Sequence, residues 1–136
     1  MNQDTDSQLT SLDISEPIWE RFFTLAPMVL IGTQEADGQP DIAPKHLAIP
    51  VSWDNYFGFV CTPRHATYTN VQRTGVFTVT YPRPEQVLYT SLAASPRCGD
   101  GGDKPVLNAF DTIPATRVEG VFVAGGYVYL ECELFK

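Results

Sequence analysis

Histidine, cysteine and long apolar runs are all scarce in this 136-residue chain, and each shortage removes a class of function. No stretch approaches the roughly 20 consecutive apolar residues needed to cross a bilayer, so a membrane-spanning helix is not expected. The amino-terminal stretch MNQDTDSQLTSLDISEP has no basic segment and no apolar centre. It is therefore not read as a secretory or transit signal, and a cytoplasmic location is the expectation. Cys61, Cys98 and Cys132 are far apart and odd in number, without CxxC or Cys/His zinc spacing. Free thiols in a reducing compartment are expected, not a disulfide framework or a structural metal. Bases are outnumbered too, nine Lys and Arg against sixteen Asp and Glu, for a net charge of −7. Such a balance argues against a nucleic-acid surface and lends no support to binding anionic membranes.

What is present belongs to a globular domain: 43% hydrophobic and 18% charged residues, at a length that suits one domain with a modest core. The charge is uneven. Residues 1–20 hold five acids and no base, which leaves eleven acids against nine bases in the rest. Between Gly38 and Pro84 the sign reverses, because Lys45, Arg64, Arg73 and Arg83 outnumber Asp41 and Asp54. A small anionic ligand would find its site there. Both histidines also fall in this region, in two tetrapeptides of similar order, Ala43-Pro44-Lys45-His46 and Thr62-Pro63-Arg64-His65.

The second tetrapeptide opens the most informative stretch, Cys61–Tyr81. It reads as a strand end, a polar turn, a short helix and a second strand. Thr67 is a suitable N-cap for a helix running to Arg73, with Gly75 as its stop. A helix N-terminus offers unpaired N–H groups and partial positive charge, so Arg64 and a hydroxyl beside it make a phosphate seat.

Around this stretch, residues 1–14 read as a mobile arm and 15–136 as the folded domain. Ser15 and Pro17 suit the start of a helix that places Ile18, Trp19, Phe22, Phe23 and Leu25 on one face. Strands are expected at Met28–Thr33 and Asp41–Ala48, joined through Asp37-Gly38, a hairpin signal. Pro40, Pro44 and Pro50 remove ladder donors, so this segment is expected to be irregular or at an edge. Further strands are expected at Tyr56–Val60, Val76–Tyr81, Val118–Ala124 and Tyr127–Phe135, with a short helix over Pro84–Ala94 and a surface loop at Pro96–Pro105. Tyr56, Phe57, Phe59, Phe77 and Tyr81 are read as core. About six mostly antiparallel strands and three short helices describe a mainly β fold, a barrel with helical additions.

Taken in order, Thr33…Asp37-Gly38…Asp41-Ile42-Ala43-Pro44-Lys45-His46-Leu47, then Val51-Ser52, then Arg64…Thr67-Tyr68-Thr69-Asn70-Val71…Gly75-Val76-Phe77-Thr78-Val79 resembles the flavin reductase family. The resemblance runs from about Pro27 to Phe135 and lies in the order and spacing of short motifs. It implies an FMN-binding split β-barrel and a homodimer, with FMN rather than FAD near the dimer interface taking hydride from NADH or NADPH. By position, Ala43, Pro44, Lys45, His46 and Leu47 would border the flavin ring and ribityl chain. Cys61 and Thr62 would neighbour the ribityl chain or phosphate, and Arg64 and Thr67 would hold the phosphate. Asp103-Lys104 matches a loop that often reaches toward the flavin of the other subunit. Two positions depart from the family pattern, His46 where Ser is common and Asp41 where Asn is common. Relatives usually continue for one or more strands past the point where this chain stops, so the C-terminal part of the usual domain is expected to be absent.

No catalytic residue is assigned, because in hydride transfer the cofactor carries the chemistry and the protein supplies position and field. With no Rossmann glycine fingerprint, the nicotinamide would bind transiently over the flavin. Lys45 is the candidate cation for the pyrimidine edge of the flavin, and His46 a second ring contact. Two other readings stay open: a flavin-binding redox sensor or carrier without turnover, and a β-barrel module for another phosphorylated ligand.

Overall fold

The computed structural model describes residues 26–94 and 104–135, together with Asp13 and Ser15. The expected amino-terminal arm, the helix after Ser15, Cys98 and most of the Pro96–Pro105 loop lie outside the described residues.

The described residues form eight short strands and two helices. β1 (Val29–Gln34) turns at Glu35–Gln39 into β2 (Pro40–Lys45), and β3 (Ala48–Pro50) pairs with β4 (Phe57–Phe59). Helix α1 (Ala66–Thr74) then leads into β5 (Val76–Tyr81), and a 3-10 turn at Pro84–Gln86 into α2 (Val87–Leu92). After a second 3-10 turn, Pro105–Ala109, come β6 (Thr112–Pro114), β7 (Val121–Val123) and β8 (Val128–Glu133). The main sheet has the order β2-β1-β5-β8, all antiparallel, with β3–β4 and β6–β7 as separate ribbons. The fold is mainly β, as expected.

Gly38 takes φ +87° in the β1–β2 turn, as the Asp-Gly signal requires. The expected return strand is cut at His46-Leu47, but β2 itself is an unbroken ladder against β1 despite its prolines. The reason is parity. Pro40, Ile42 and Pro44 alternate with the residues that bond β1, so the missing donors lie on the outer side of an edge strand. The outward carbonyl of Ile42 is taken instead by the Lys104 ammonium, at 3.2 Å.

Alternation also divides the core into two layers. On the α1 side, Val29, Ile31, Phe77 and Val79 pack with Val71 and Ala48, and Phe57, Phe59 and Tyr81 lie against them. Of the expected aromatic core only Tyr56 is exposed. On the other side, Leu30 and Ile42 pack with Ala93 and Val123. There the β6–β7 ribbon crosses the sheet, held where Thr78 Oγ1 donates to the Val121 carbonyl at 2.6 Å and Thr80 Oγ1 accepts from the Val123 amide at 3.1 Å. Gly32 is required at this crossing, since a Cβ would stand 2.3 Å from Thr78 Oγ1.

Candidate functional site

The sheet register delivers Lys45 to the helix. Lys45 pairs with Val29 and Ala43 with Ile31, so period-2 alternation turns both toward the α1 layer. Lys45 is buried there, with 8% of its surface exposed. The chain then bends through His46 and Leu47, both exposed, before Ala48 enters β3.

The second bend follows β4. Thr62 to His65 forms a turn closed by the His65 amide donating to the Thr62 carbonyl at 3.1 Å, with Pro63 at its first corner. His65, in extended conformation, is the residue that caps α1. This corrects the assignment of the cap to Thr67, which lies inside the first turn and is buried at 1% exposure. The helix begins two residues earlier because the His65 carbonyl already accepts from the Tyr68 and Thr69 amides. Gly75 ends it as expected, at φ 73° with its amide on the Val71 carbonyl.

Two contacts bring the bends together. The Val60 amide donates to the Leu47 carbonyl at 2.9 Å, and Lys45 Nζ lies 3.5 Å from His65 Nδ1. An ammonium can only donate, so Nδ1 accepts and the ring proton sits on Nε2. Desolvation pushes the His65 pKa below its ordinary value, and the charges of Lys45 and then Lys104 push it the same way. Cys61 Sγ is 3.8 Å from the same nitrogen. Arg64 is exposed beside them.

The cluster has the electrostatics of an anion seat. The Ala66 and Thr67 amides precede the first helical hydrogen bond, no side chain caps the end, and no acid occupies the first turn. Lys104 is matched by Asp41, 3.1 Å away in a buried ion pair. Lys45 has no carboxylate partner among the described residues. A buried ammonium without a counter-charge is costly, and an anionic ligand resolves it.

Of the residues expected at the site, Lys45, Cys61, Arg64 and the start of α1 gather around His65. Ala43 is buried beneath Lys45 on β2, while His46, Leu47 and Thr62 are exposed in the bends. Sequence reasoning gave His65 no role, although its repeat of the first tetrapeptide was the available signal. The resemblance put Asp103-Lys104 in a loop that often reaches toward the flavin of the other subunit; within its own chain Lys104 is tied to Asp41, across a separation of 63 residues that no local pattern marks. A cavity of about 590 Å³ opens elsewhere, on the β8 side of α1, and Cys61 alone of the expected residues lines it. Among the described residues no cluster of three or more metal-ligating side chains occurs, and no helix is long and apolar enough to cross a membrane.

Antiparallel β ribbons wrapped on a helix-backed sheet define a split-barrel protein, and solved structures share the arrangement. Flavoredoxin of Desulfovibrio vulgaris (Miyazaki F) matches with a TM-score of 0.77 at 19% identity, over 93% of this chain and 68% of that one. The 2-nitrobenzoate 2-nitroreductase NbaA of Pseudomonas fluorescens matches at 0.78 and 17% identity, over 93% and 66%. An FMN-binding domain of a flavin reductases-like enzyme from Shewanella baltica OS155 matches at 0.72 and 19% identity, over 82% and 58%. This chain thus spans about two thirds or less of the length of these structures. The sequence profile of the flavin reductase like domain matches residues 23–136, and the chain belongs to that family. No curated protein matches it.

Proposed function

We propose that the chain binds FMN at the junction of its two bends and serves as a flavin reductase-type oxidoreductase that accepts hydride from NADH or NADPH. The observation that carries this reading is the buried Lys45 ammonium, unmatched by any carboxylate among the described residues, beside the open N-terminus of α1. A phosphate-bearing ligand fits that donor set. Arg64 and the first amides of α1 hold the phosphate by charge-assisted hydrogen bonds, with Thr67 in the same turn. Cys61 and Thr62 border the ribityl chain. The rest of the Ala43–Leu47 segment borders the ring, with His46 as a contact, while Lys45, beside the start of α1, joins the phosphate seat. Bound FMN supplies the hydride-accepting chemistry, so no side chain is assigned an acid or base role.

Homodimerisation belongs to the same reading. Leu47, Ile49, Val51 and Trp53 are all more than half exposed on the β3–β4 ribbon and its flanks, an apolar surface a second copy would cover. A cytoplasmic setting accords with the free thiols of Cys61 and Cys132.

Fluorescence titrations with FMN and riboflavin test the site. Arg64→Ala should weaken FMN by about tenfold, the equivalent of one charge-assisted hydrogen bond, and leave riboflavin nearly unchanged. Equal losses for both ligands would remove Arg64 from the phosphate seat. Anaerobic addition of NADH or NADPH to the FMN-loaded protein should then bleach the flavin band on a catalytic timescale. Binding without bleaching would favour a flavin carrier.

A further inference from the structure

His65 stands at the centre of the cation cluster. It is exposed, it caps α1 through its backbone alone, and its Nδ1 faces Lys45 Nζ at 3.5 Å and Cys61 Sγ at 3.8 Å. The groups around it come from separate parts of the chain: Lys45 from β2, Cys61 and the adjacent Arg64 from the second bend, and Lys104, tied to Asp41, from the segment before the Pro105–Ala109 turn. Without a bound anion these charges disfavour an imidazolium. A phosphate dianion would reverse that balance, because it supplies two negative charges to a place where cations otherwise repel one another.

We propose that His65 is a proton-coupled ligand of the phosphate group, neutral and accepting from Lys45 in the ligand-free protein, and protonated when a dianion binds. One proton enters Nδ1 from solvent while Lys45 turns its N–H donors to the phosphate, and the ring then carries N–H groups on both nitrogens. Ligand binding and pH are thereby linked: binding takes up a proton at His65, and affinity falls as pH rises through the titration of the bound form. The proposal rests on the reading of the site as a phosphate seat and deepens it.

Nuclear magnetic resonance titration of the ring protons provides the test, since the chain has two histidines and His46→Gln identifies the other. In the free protein His65 should titrate below 6.5. With saturating FMN its midpoint should rise above that value, while riboflavin, which lacks the phosphate, should leave it unmoved. Between the free and bound midpoints the FMN dissociation constant should then increase with pH, by about tenfold for each unit that separates them, and His65→Gln should abolish this part of the dependence. FMN's own second ionisation, near pH 6, is common to both proteins and drops out of the comparison. An unmoved His65 midpoint in an FMN-saturated sample, an equal shift with riboflavin, or matching pH profiles for wild type and His65→Gln would overturn the proposal while leaving the phosphate seat intact. Failure of both FMN and inorganic phosphate to bind would overturn both.

Discussion

Lys45 and Lys104 are both buried ammonium groups near His65, yet only Lys104 has its counter-charge in place among the described residues. Under the proposed function, this difference separates a structural lysine from one that serves the ligand. Asp41→Asn leaves the Lys104 ammonium unmatched in the interior and should destabilise the protein by about 3–5 kcal/mol in urea unfolding. Adding Lys104→Met should recover much of the loss, since the unpaired charge goes with it. Lys45→Ala, by contrast, should weaken FMN binding by about tenfold or more while changing riboflavin binding little, because it withdraws a cation from the phosphate seat. Equal losses for both ligands would refute the role. Burial pushes the Cys132 pKa to about 11, so at neutral pH it is held as the thiol and not as the nucleophilic thiolate.

Elements of this fold are held by contacts that local sequence does not announce. Glu131 on β8 accepts hydrogen bonds from the Thr116 hydroxyl and from the amides of Thr116, Arg117 and Val118, fixing the β6–β7 loop. Burial pushes its pKa up, but those hydrogen bonds, led by the Thr116 hydroxyl, outweigh it and hold the carboxyl below its usual value of 4.5. The sign follows. The carboxylate supports the loop above pH 4.5 and loses that support as pH falls through the lowered value of the folded state. Amide hydrogen exchange at Arg117 and Val118 should accelerate in Glu131→Gln at neutral pH, and in the wild type under acid. Gly32→Ala tests the ribbon crossing, since its Cβ would meet both Thr78 Oγ1 and the Val121 carbonyl. A loss of about 1–3 kcal/mol is expected.

On the scale of the whole molecule, Leu47, Ile49, Val51 and Trp53 leave apolar side chains exposed on the β3–β4 ribbon and its flanks, the surface a second copy would cover in the proposed homodimer. Light scattering should give twice the chain mass, and Ile49→Asp with Trp53→Asp should return it to one chain. A monomeric wild type would refute the homodimer.

The strands and turns of the β1–β2 hairpin and of β5 were legible from apolar alternation, Asp-Gly and Gly75, because those signals act within a few residues. The N-cap was misplaced for a related reason: Thr67 has the right chemistry, but its side chain is drawn into the core and the chain begins its helix at the turn before it. By itself the sequence determined a mainly β domain and two cationic, proline-bearing bends. Tertiary structure decided that those bends meet at His65, that Lys104 answers Asp41, and that Lys45 reaches the start of α1 with no carboxylate partner among the described residues. These pairings join residues 20 to 63 positions apart, and only the register of the sheet and the crossing of its ribbons bring such groups within hydrogen-bonding reach.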